Sequence, residues 1–230
     1  MKIISVCYGE KYHHMIPPFL NSALRAGFEP TIYTDIDIPY GKRVDFNDRG
    51  DKVSNMLSRN EVWLRAVEEH GECLCLDIDM VILRPFELPK ADCLFTLDAR
   101  FSHNYDYINL GFLYCNHPMI LSDLLLHIKH VDKKRAMNPP YLAIDQMAFH
   151  QLIGFKQNLF KYKYSGLNVI GLPCDIYNHY DDNKPLVDAC AIMHYKNRWQ
   201  GGLDPAADKM EIINDYLDSP MRREDILGKA

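Results

Sequence analysis

Cys73-Leu74-Cys75-Leu76-Asp77-Ile78-Asp79-Met80-Val81-Ile82-Leu83 is an apolar run of strand type, interrupted only by two carboxylates placed two residues apart. Side chains at i and i+2 of an extended segment point the same way, so Asp77 and Asp79 present two hard oxygen ligands from one short stretch. Flanked by Leu76, Ile78 and Val81, two like charges repel each other and resist burial unless a divalent cation or hydrogen-bond donors neutralise them. Oxygen ligands suit Mg2+ or Mn2+, ions that keep open positions for substrate phosphates. An Asp-x-Asp triplet also arises where a strand simply runs out into solvent, and the triplet alone leaves both readings open.

Outward from this run, short β-type segments alternate with longer helical ones. Ile3 to Cys7 reads as a buried strand and His14 to Ala26 as a helix that Gly27 ends, with Pro17-Pro18 moving its true start later. Thr31 to Thr34 is a second strand closing at Asp35, and a polar, Gly-bearing stretch runs from Tyr40 to Asp51. Ser54 to Glu69 carries Met56, Leu57, Val62, Trp63, Ala66 and Val67 at helical spacing, with Gly71 at its end. After the carboxylate run, Arg84-Pro85-Phe86 bars simple continuation of the ladder. Asp92 to Leu97, Leu110 to Cys115 and Ala189 to His194 read as strands, and Ile120 to His130 and Ala143 to Ile153 as helices. Tyr162 to Tyr164 reads as an exposed amphipathic strand, and the tail from Glu211 as a solvated, partly frayed terminal helix. Such alternation predicts an α/β fold with a mainly parallel, Rossmann-like sheet covered by helices, and ligands gather beyond the carboxyl ends of its strands.

The chain has 230 residues, 47% of them hydrophobic, enough for one sizeable core, and reads as a single domain over 1–230. Its net charge of -5 and lack of a Lys/Arg-rich block exclude a general nucleic-acid binder. Seven scattered cysteines without a Cys-x-x-Cys pair read as small buried hydrophobes in a reducing compartment. The N-terminal apolar stretch meets Glu10 and Lys11 too soon for a signal segment or a membrane span, so the expected location is cytoplasmic.

Several polar residues fall where strands end: Tyr8 and Gly9, Thr34 and Asp35, Asp77 and Asp79, Asp98 and Arg100, and His194 with Lys196. Each alone reads as a loop residue meeting water; together they suit one shared rim. A lone histidine in an apolar strand is more often a core residue, but His194 ends such a run and precedes the polar, Gly-bearing stretch Asn197 to Gly202. Imidazole serves Mn2+ better than Mg2+, and an ammonium at Lys196 could meet phosphate oxygens held by the same ion.

Asp77-Ile78-Asp79 in its apolar run, Val81-Ile82-Leu83-Arg84-Pro85-Phe86, Asn109-Leu110-Gly111-Phe112, Asp145-Gln146 and His194-Tyr195-Lys196, in this order, resemble the metal-dependent GT-A glycosyltransferases. The resemblance is closest to the retaining branch that includes glycogenin and bacterial lipopolysaccharide galactosyltransferases, and it spans Ile3 to about Trp199. It implies a GT-A fold, with 1–100 mainly binding nucleotide and metal, 101–200 supplying the sugar and acceptor side and a third metal ligand, and 205–230 forming a helical tail. It implies Asp77, Asp79 and His194 as ligands of Mn2+ or Mg2+, with Asp77 also reaching the donor ribose. Val6, Tyr8, Gly9 and Asp35 would meet the nucleotide base and ribose, Lys52 would lie near the nucleotide, and Asn109 and Gly111 would border the sugar. Asp145 and Gln146 would face the reacting carbon and sugar hydroxyls. Lys196 would neutralise the departing diphosphate, although His194 to Trp199 is compressed relative to the relatives' stretch, which leaves Lys196 and Arg198 as alternatives for that contact.

The activity so implied is transfer of a sugar from a nucleotide-diphosphate sugar, a UDP-hexose, to a hydroxyl of a glycan or other acceptor with retention of configuration. An inverting reaction would instead need a carboxylate base at the acceptor oxygen, and Asp98 and Asp145 are the candidates. Two other classes fit an Asp pair at a sheet edge. One is a sugar nucleotidyltransferase or phosphohydrolase, against which stands the poverty of glycine and lysine in Cys7 to Lys11. The other is an inactive nucleotide- or carbohydrate-binding protein.

Overall fold

A computed structural model describes residues 1–44, 52–98, 107–130, 144–154, 160–179, 186–195 and 207–228, with the backbone alone at 52–55, 98, 107 and 207–208. The N-terminal apolar run forms β1 (Lys2–Cys7), followed by a 3-10 turn (Glu10–Met15), α1 (Ile16–Arg25), β2 (Pro30–Thr34) and β3 (Gly41–Arg43). The next segment is α2 (Lys52–His70), and the carboxylate run then divides into β4 (Cys73–Asp77) and β5 (Met80–Ile82). Beyond it lie β6 (Cys93–Asp98), β7 (Tyr107–Cys115), α3 (Pro118–His130), α4 (Ile144–Leu152), β8 (Lys161–Tyr164), β9 (Leu167–Pro173) and α5 (Cys174–Tyr177). The chain closes with β10 (Ile192–His194), α6 (Ala207–Asn214) and α7 (Arg223–Leu227).

These elements cluster into two compact units. One holds Met1–Phe46, Leu76–Leu88 and Asp175–Ala230; the other holds Asn47–Cys75 and Pro89–Cys174. In the first unit the strand order is β3-β2-β1-β4, with β1, β2 and β3 parallel in register Ile3 to Pro30 and Ile32 to Gly41. In the second the order is β4-β7-β6-β9-β8, where β6 and β9 run parallel while β7 opposes β6 and β8 opposes β9. The α/β class and mostly parallel sheet follow the sequence pattern. Tyr162 to Tyr164, read as a strand, lies within β8, with Tyr162 buried; its hairpin partner β9 and the short β3 are additions to the pattern, the latter lying in the polar, Gly-bearing stretch after Tyr40.

The run 73–83 departs from a single strand. Ile78 and Asp79 form a turn, and β5 leaves the main sheet to pair with β10. Asp77 and Asp79 are partly exposed while Leu76, Met80 and Val81 are buried, so the break falls where the two carboxylates make continued burial costly.

In the first unit α1 is buried along most of its length, from Ile16 to Ala23. Pro17 and Pro18 occupy its first turn, where their missing N–H groups have no helical partner to lose. Gly27, at φ 79°, ends it in the left-handed conformation, with the Phe28 N–H returning to Ala23 O at 3.0 Å. Ser22 Oγ accepts the Ile82 N–H at 3.0 Å and donates to Phe19 O at 2.9 Å, which pins β5 to this helix.

The C-terminal tail is docked, not frayed. Asn21, fully buried, donates through Nδ2 to Tyr216 O at 2.8 Å and Met221 O at 2.9 Å, and its Oδ1 accepts the Met221 N–H at 3.0 Å. Arg25 stacks over the Tyr216 ring at 4.6 Å. In the second unit Trp63 is fully buried on α2, and Phe95 meets Phe149 edge-on at 5.2 Å. Each such side chain contributes roughly 1.5–3 kcal/mol of burial free energy.

Substituting Asn21→Ala removes the four side-chain hydrogen bonds to Tyr216, Leu217 and Met221 and leaves partly buried backbone groups without that partner. The expected loss is about 2–3 kcal/mol, read in thermal melts as a fall of roughly 4–12 °C, with faster proteolysis near residues 216–221. An unchanged melting temperature would show that the tail adds nothing to the first unit.

Candidate metal centre

Asp77 ends β4, Asp79 lies in the turn, and His194 ends β10. The antiparallel register of β5 and β10 sets Met80 opposite His194, Val81 opposite Met193 and Ile82 opposite Ile192. Backbone bonds extend this ladder at both ends, Tyr195 N to Asp79 O at 3.0 Å and Leu83 N to Ala191 O at 2.9 Å. The pairing therefore carries His194 beside Asp79, and its Nε2 lies 3.0 Å from Asp79 Oδ1. One ligand atom from each of Asp77, Asp79 and His194 falls within 4.8 Å of the others, the one such group among the described residues. Val81, Met193, Tyr195 and Ile213 form the apolar cluster beneath the pair, with Leu83, Leu186, Ile212 and Tyr216 against it.

This donor set fits a divalent cation. Two carboxylates and an imidazole that converge from separate strands match the oxygen and nitrogen preferences of Mn2+, with Mg2+ served by the oxygens. The Tyr195 hydroxyl is buried with no hydrogen-bond partner among the described residues, and burial, followed by the nearby Asp79 carboxylate, pushes the phenol well above its usual range. It stays a neutral phenol beside the acids and adds no charge to the centre.

Of the residues expected on one rim, Tyr8, Gly9, Thr34, Asp35, Asp77, Asp79 and His194 lie in the first unit, and Asp98 lies in the second. Gly9, at φ 85°, turns the chain after β1, and its N–H donates to Asp35 Oδ2 at 3.1 Å. Asp35 Oδ1 meets His13 Nε2 at 2.9 Å and Thr34 Oγ1 at 3.4 Å. Burial alone would push the Asp35 carboxyl up, but hydrogen bonds from His13 and Gly9 outweigh it and the group sits below its usual range. Asp35 therefore ties the loop after β1 to the end of β2. Cys7 lies between the two clusters: burial raises its thiol furthest, and the carboxylates of Asp35 and then Asp79 raise it further. Tyr8 and Val6 flank it, both partly exposed.

In the second unit Asp145 is fully buried. Arg59 Nη2 donates to its Oδ2, and the Gln146 N–H donates to its Oδ1 at 2.9 Å. The Arg59 guanidinium also lies over the Trp63 ring at 4.3 Å. Asn109 and Gly111 meet at the irregularity of β7: the Gly111 N–H donates to Asn109 Oδ1 at 2.9 Å, and Thr96 Oγ1 donates to Asn109 O at 2.8 Å. Lys196, Arg198 and Arg100 lie outside the described residues, as do the side chains of Lys52 and Asp98.

Three polar residues of these clusters escaped the sequence reading. Arg59 had a visible signal, since it falls three residues after Met56 and four before Trp63, within the buried stripe of α2. His13 lies just before the stretch that reads as a helix, and its partner is 22 residues away. Asn178, which contacts His194 at 2.9 Å, carried no local signal. All seven cysteines are buried and none is in a disulfide. No helix among the described residues is long and apolar enough to cross a membrane.

No protein-family model and no curated protein sequence matches the chain. Among solved structures, the glycosyltransferase GlyE of Streptococcus pneumoniae TIGR4 superposes with a TM-score of 0.58 at 15% identity, covering 94% of this chain and 62% of GlyE. This chain thus spans less than two thirds of that protein. A glycosyltransferase involved in glycosylation of the major capsid of PBCV-1 gives 0.58 at 13% identity, covering 93% of this chain and 98% of the other. The galactosyltransferase LgtC, solved with donor and acceptor sugar analogs, gives 0.54 at 14% identity, with 96% and 98% covered. At such identities the likeness establishes architecture, and the architecture of this chain is the GT-A fold of glycosyltransferases.

Proposed function

We propose that the chain is a metal-dependent glycosyltransferase that moves a hexosyl group from a UDP-sugar to a hydroxyl acceptor with retention. The observation that carries this reading is the convergence of Asp77, Asp79 and His194 ligand atoms within 4.8 Å, in a chain of GT-A fold. Asp77, Asp79 and His194 would hold Mn2+ or Mg2+, with Asp77 also reaching the ribose. When bound, the cation supplies Lewis-acid stabilisation of the charge that grows on the departing diphosphate.

On the nucleotide side, Tyr8 offers an aromatic face to the base, Val6 and Gly9 offer backbone groups, and Asp35, ionised and fixed by His13, accepts from base or ribose donors. Lys52 lies near the nucleotide. Lys196 or Arg198 neutralises the leaving diphosphate. On the sugar side, Asn109 and Gly111 border the hexose, and Asp145 and Gln146 face its hydroxyls. With both oxygens engaged and Arg59 as counter-ion, Asp145 is suited to holding hydroxyls. That favours it as a sugar contact over a proton-abstracting base, a role left to Asp98 in an inverting reaction. Seven buried thiols without a disulfide fit a reducing, cytoplasmic setting.

Mn2+ and UDP together should raise the melting temperature much more than either alone, because the cation links the acids to the diphosphate. At concentrations near 100 times the dissociation constant the linkage is about 2.7 kcal/mol, roughly 5–10 °C for a chain of this size. Equal stabilisation by UDP without metal would refute the bridge. In a panel of nucleotide sugars with Mn2+, the wild-type protein should release nucleoside diphosphate from a UDP-hexose. Release of hexose 1-phosphate with UMP would instead mark a phosphohydrolase, its release with UTP only on addition of pyrophosphate a nucleotidyltransferase, and no turnover a binding protein.

Asp79→Ala should lower turnover on the order of 10²–10³-fold and abolish the joint thermal shift while circular dichroism stays unchanged. Wild-type activity in this variant would remove Asp79 from the site. NMR of the first-formed glycoside, showing the donor's anomeric configuration, would establish retention.

A further inference from the structure

His194 has two ring nitrogens, and only one of them can face the acidic pair. Nε2 is 3.0 Å from Asp79 Oδ1, while Nδ1 is 2.9 Å from the side-chain oxygen of Asn178, in a fully buried contact. Asn178 is itself fully buried. The backbone on either side of it is held: Ala191 N donates to Ile176 O at 2.7 Å, His179 N to Ile192 O at 3.0 Å, and His194 N to His179 O at 2.8 Å. These bonds make a parallel bridge between His179 and Met193 beside β10. Tyr177, at the end of α5, packs edge-on to Phe86 at 6.1 Å, which fixes the same ledge on its other side.

We infer that Asn178 is the positioning residue of the metal centre, accepting the His194 Nδ1–H so that Nε2 is the nitrogen presented to a divalent cation beside Asp77 and Asp79. An amide oxygen can only accept, so it requires a proton on Nδ1 and reserves the Nε2 lone pair for the acidic side. Partners of this kind orient a ligating imidazole and raise its basicity. A carboxylate at position 178 would orient the ring equally well but would add a third negative charge behind the ligands. The neutral amide leaves the donor set with the two charges of Asp77 and Asp79, which match one divalent ion. The cation in this inference rests on the function proposed above; the hydrogen bond does not.

The test uses protein labelled with 15N-histidine, metal-free and loaded with diamagnetic Mg2+, together with Mn2+ titrations followed by electron paramagnetic resonance. The wild-type protein should show a downfield, slowly exchanging His194 Nδ1–H proton. Asn178→Ala should lose that signal and weaken Mn2+ binding by about 10–100-fold. Asn178→Asp, nearly the same shape and still an acceptor, should keep the signal. An Asn178→Ala protein that retains both the signal and the Mn2+ affinity would overturn the inference alone, as would loss of the signal in a folded Asn178→Asp protein. Wild-type protein that takes up neither Mn2+ nor Mg2+ would overturn it together with the metal half of the proposed function. Absence of sugar transfer, with Mn2+ affinity still falling in Asn178→Ala, would overturn the proposed function and leave this inference supported.

Discussion

The antiparallel pairing of β5 with β10 is the contact through which two distant parts of the chain become one site. Asp79 precedes β5 by one residue and His194 ends β10, more than a hundred residues later, and a three-residue register places them side by side. A slip of one position would turn His194 to the opposite face, because side chains alternate along a strand. The register is protected on several sides: Ser22 pins Ile82, backbone bonds at Tyr195 and Leu83 prolong the ladder, and the cluster of Val81, Met193, Tyr195 and Ile213 packs beneath it. So short a pair could not hold itself; two isolated strands are marginal in water, and the apolar cluster supplies what the ladder lacks.

Charge follows the same logic within each unit. Near the candidate metal centre, acids are placed where donors or a cation can meet them. Asp35 takes donors from His13 and Gly9, and Asp79 joins Asp77 and His194 in a group of ligand atoms suited to a divalent ion. Cys7, which feels both carboxylates, stays a neutral thiol and adds no charge to the rim. In the second unit the fully buried Asp145 has Arg59 as its counter-ion, and the guanidinium spreads over Trp63. A buried pair of this type adds little net stability, since both groups must lose water, but removing one partner leaves an uncompensated charge. Its value lies in holding two polar groups in one fixed arrangement on α2 and α4.

The relation of the tail to the first unit shows how local reading falls short. From sequence, residues beyond Glu211 look solvated and frayed. In the structure a single buried amide, Asn21, takes up backbone groups of Tyr216 and Met221, and Arg25 stacks on Tyr216. Neither partner is visible to the other across nearly two hundred residues of chain. Tyr216 in turn packs on the cluster that carries β5 and β10, so the tail bears on the centre through that cluster.

What the amino-acid order determined by itself was periodic or local. Alternating strand and helix patterns specified the α/β class, glycines at 27 and 71 marked helix ends, and Asp77-Ile78-Asp79 with His194 named the acidic and imidazole groups that the fold brings together. Such features are legible because hydrophobic period and turn chemistry act over a few residues. Tertiary structure alone decided that the run from Cys73 to Leu83 breaks at its carboxylates, that Arg59 reaches Asp145, that His13 holds Asp35, and that Asn178 stands behind His194. Each of these is a pairing between side chains far apart in sequence, chosen by strand register and burial, and no property of either residue alone encodes it.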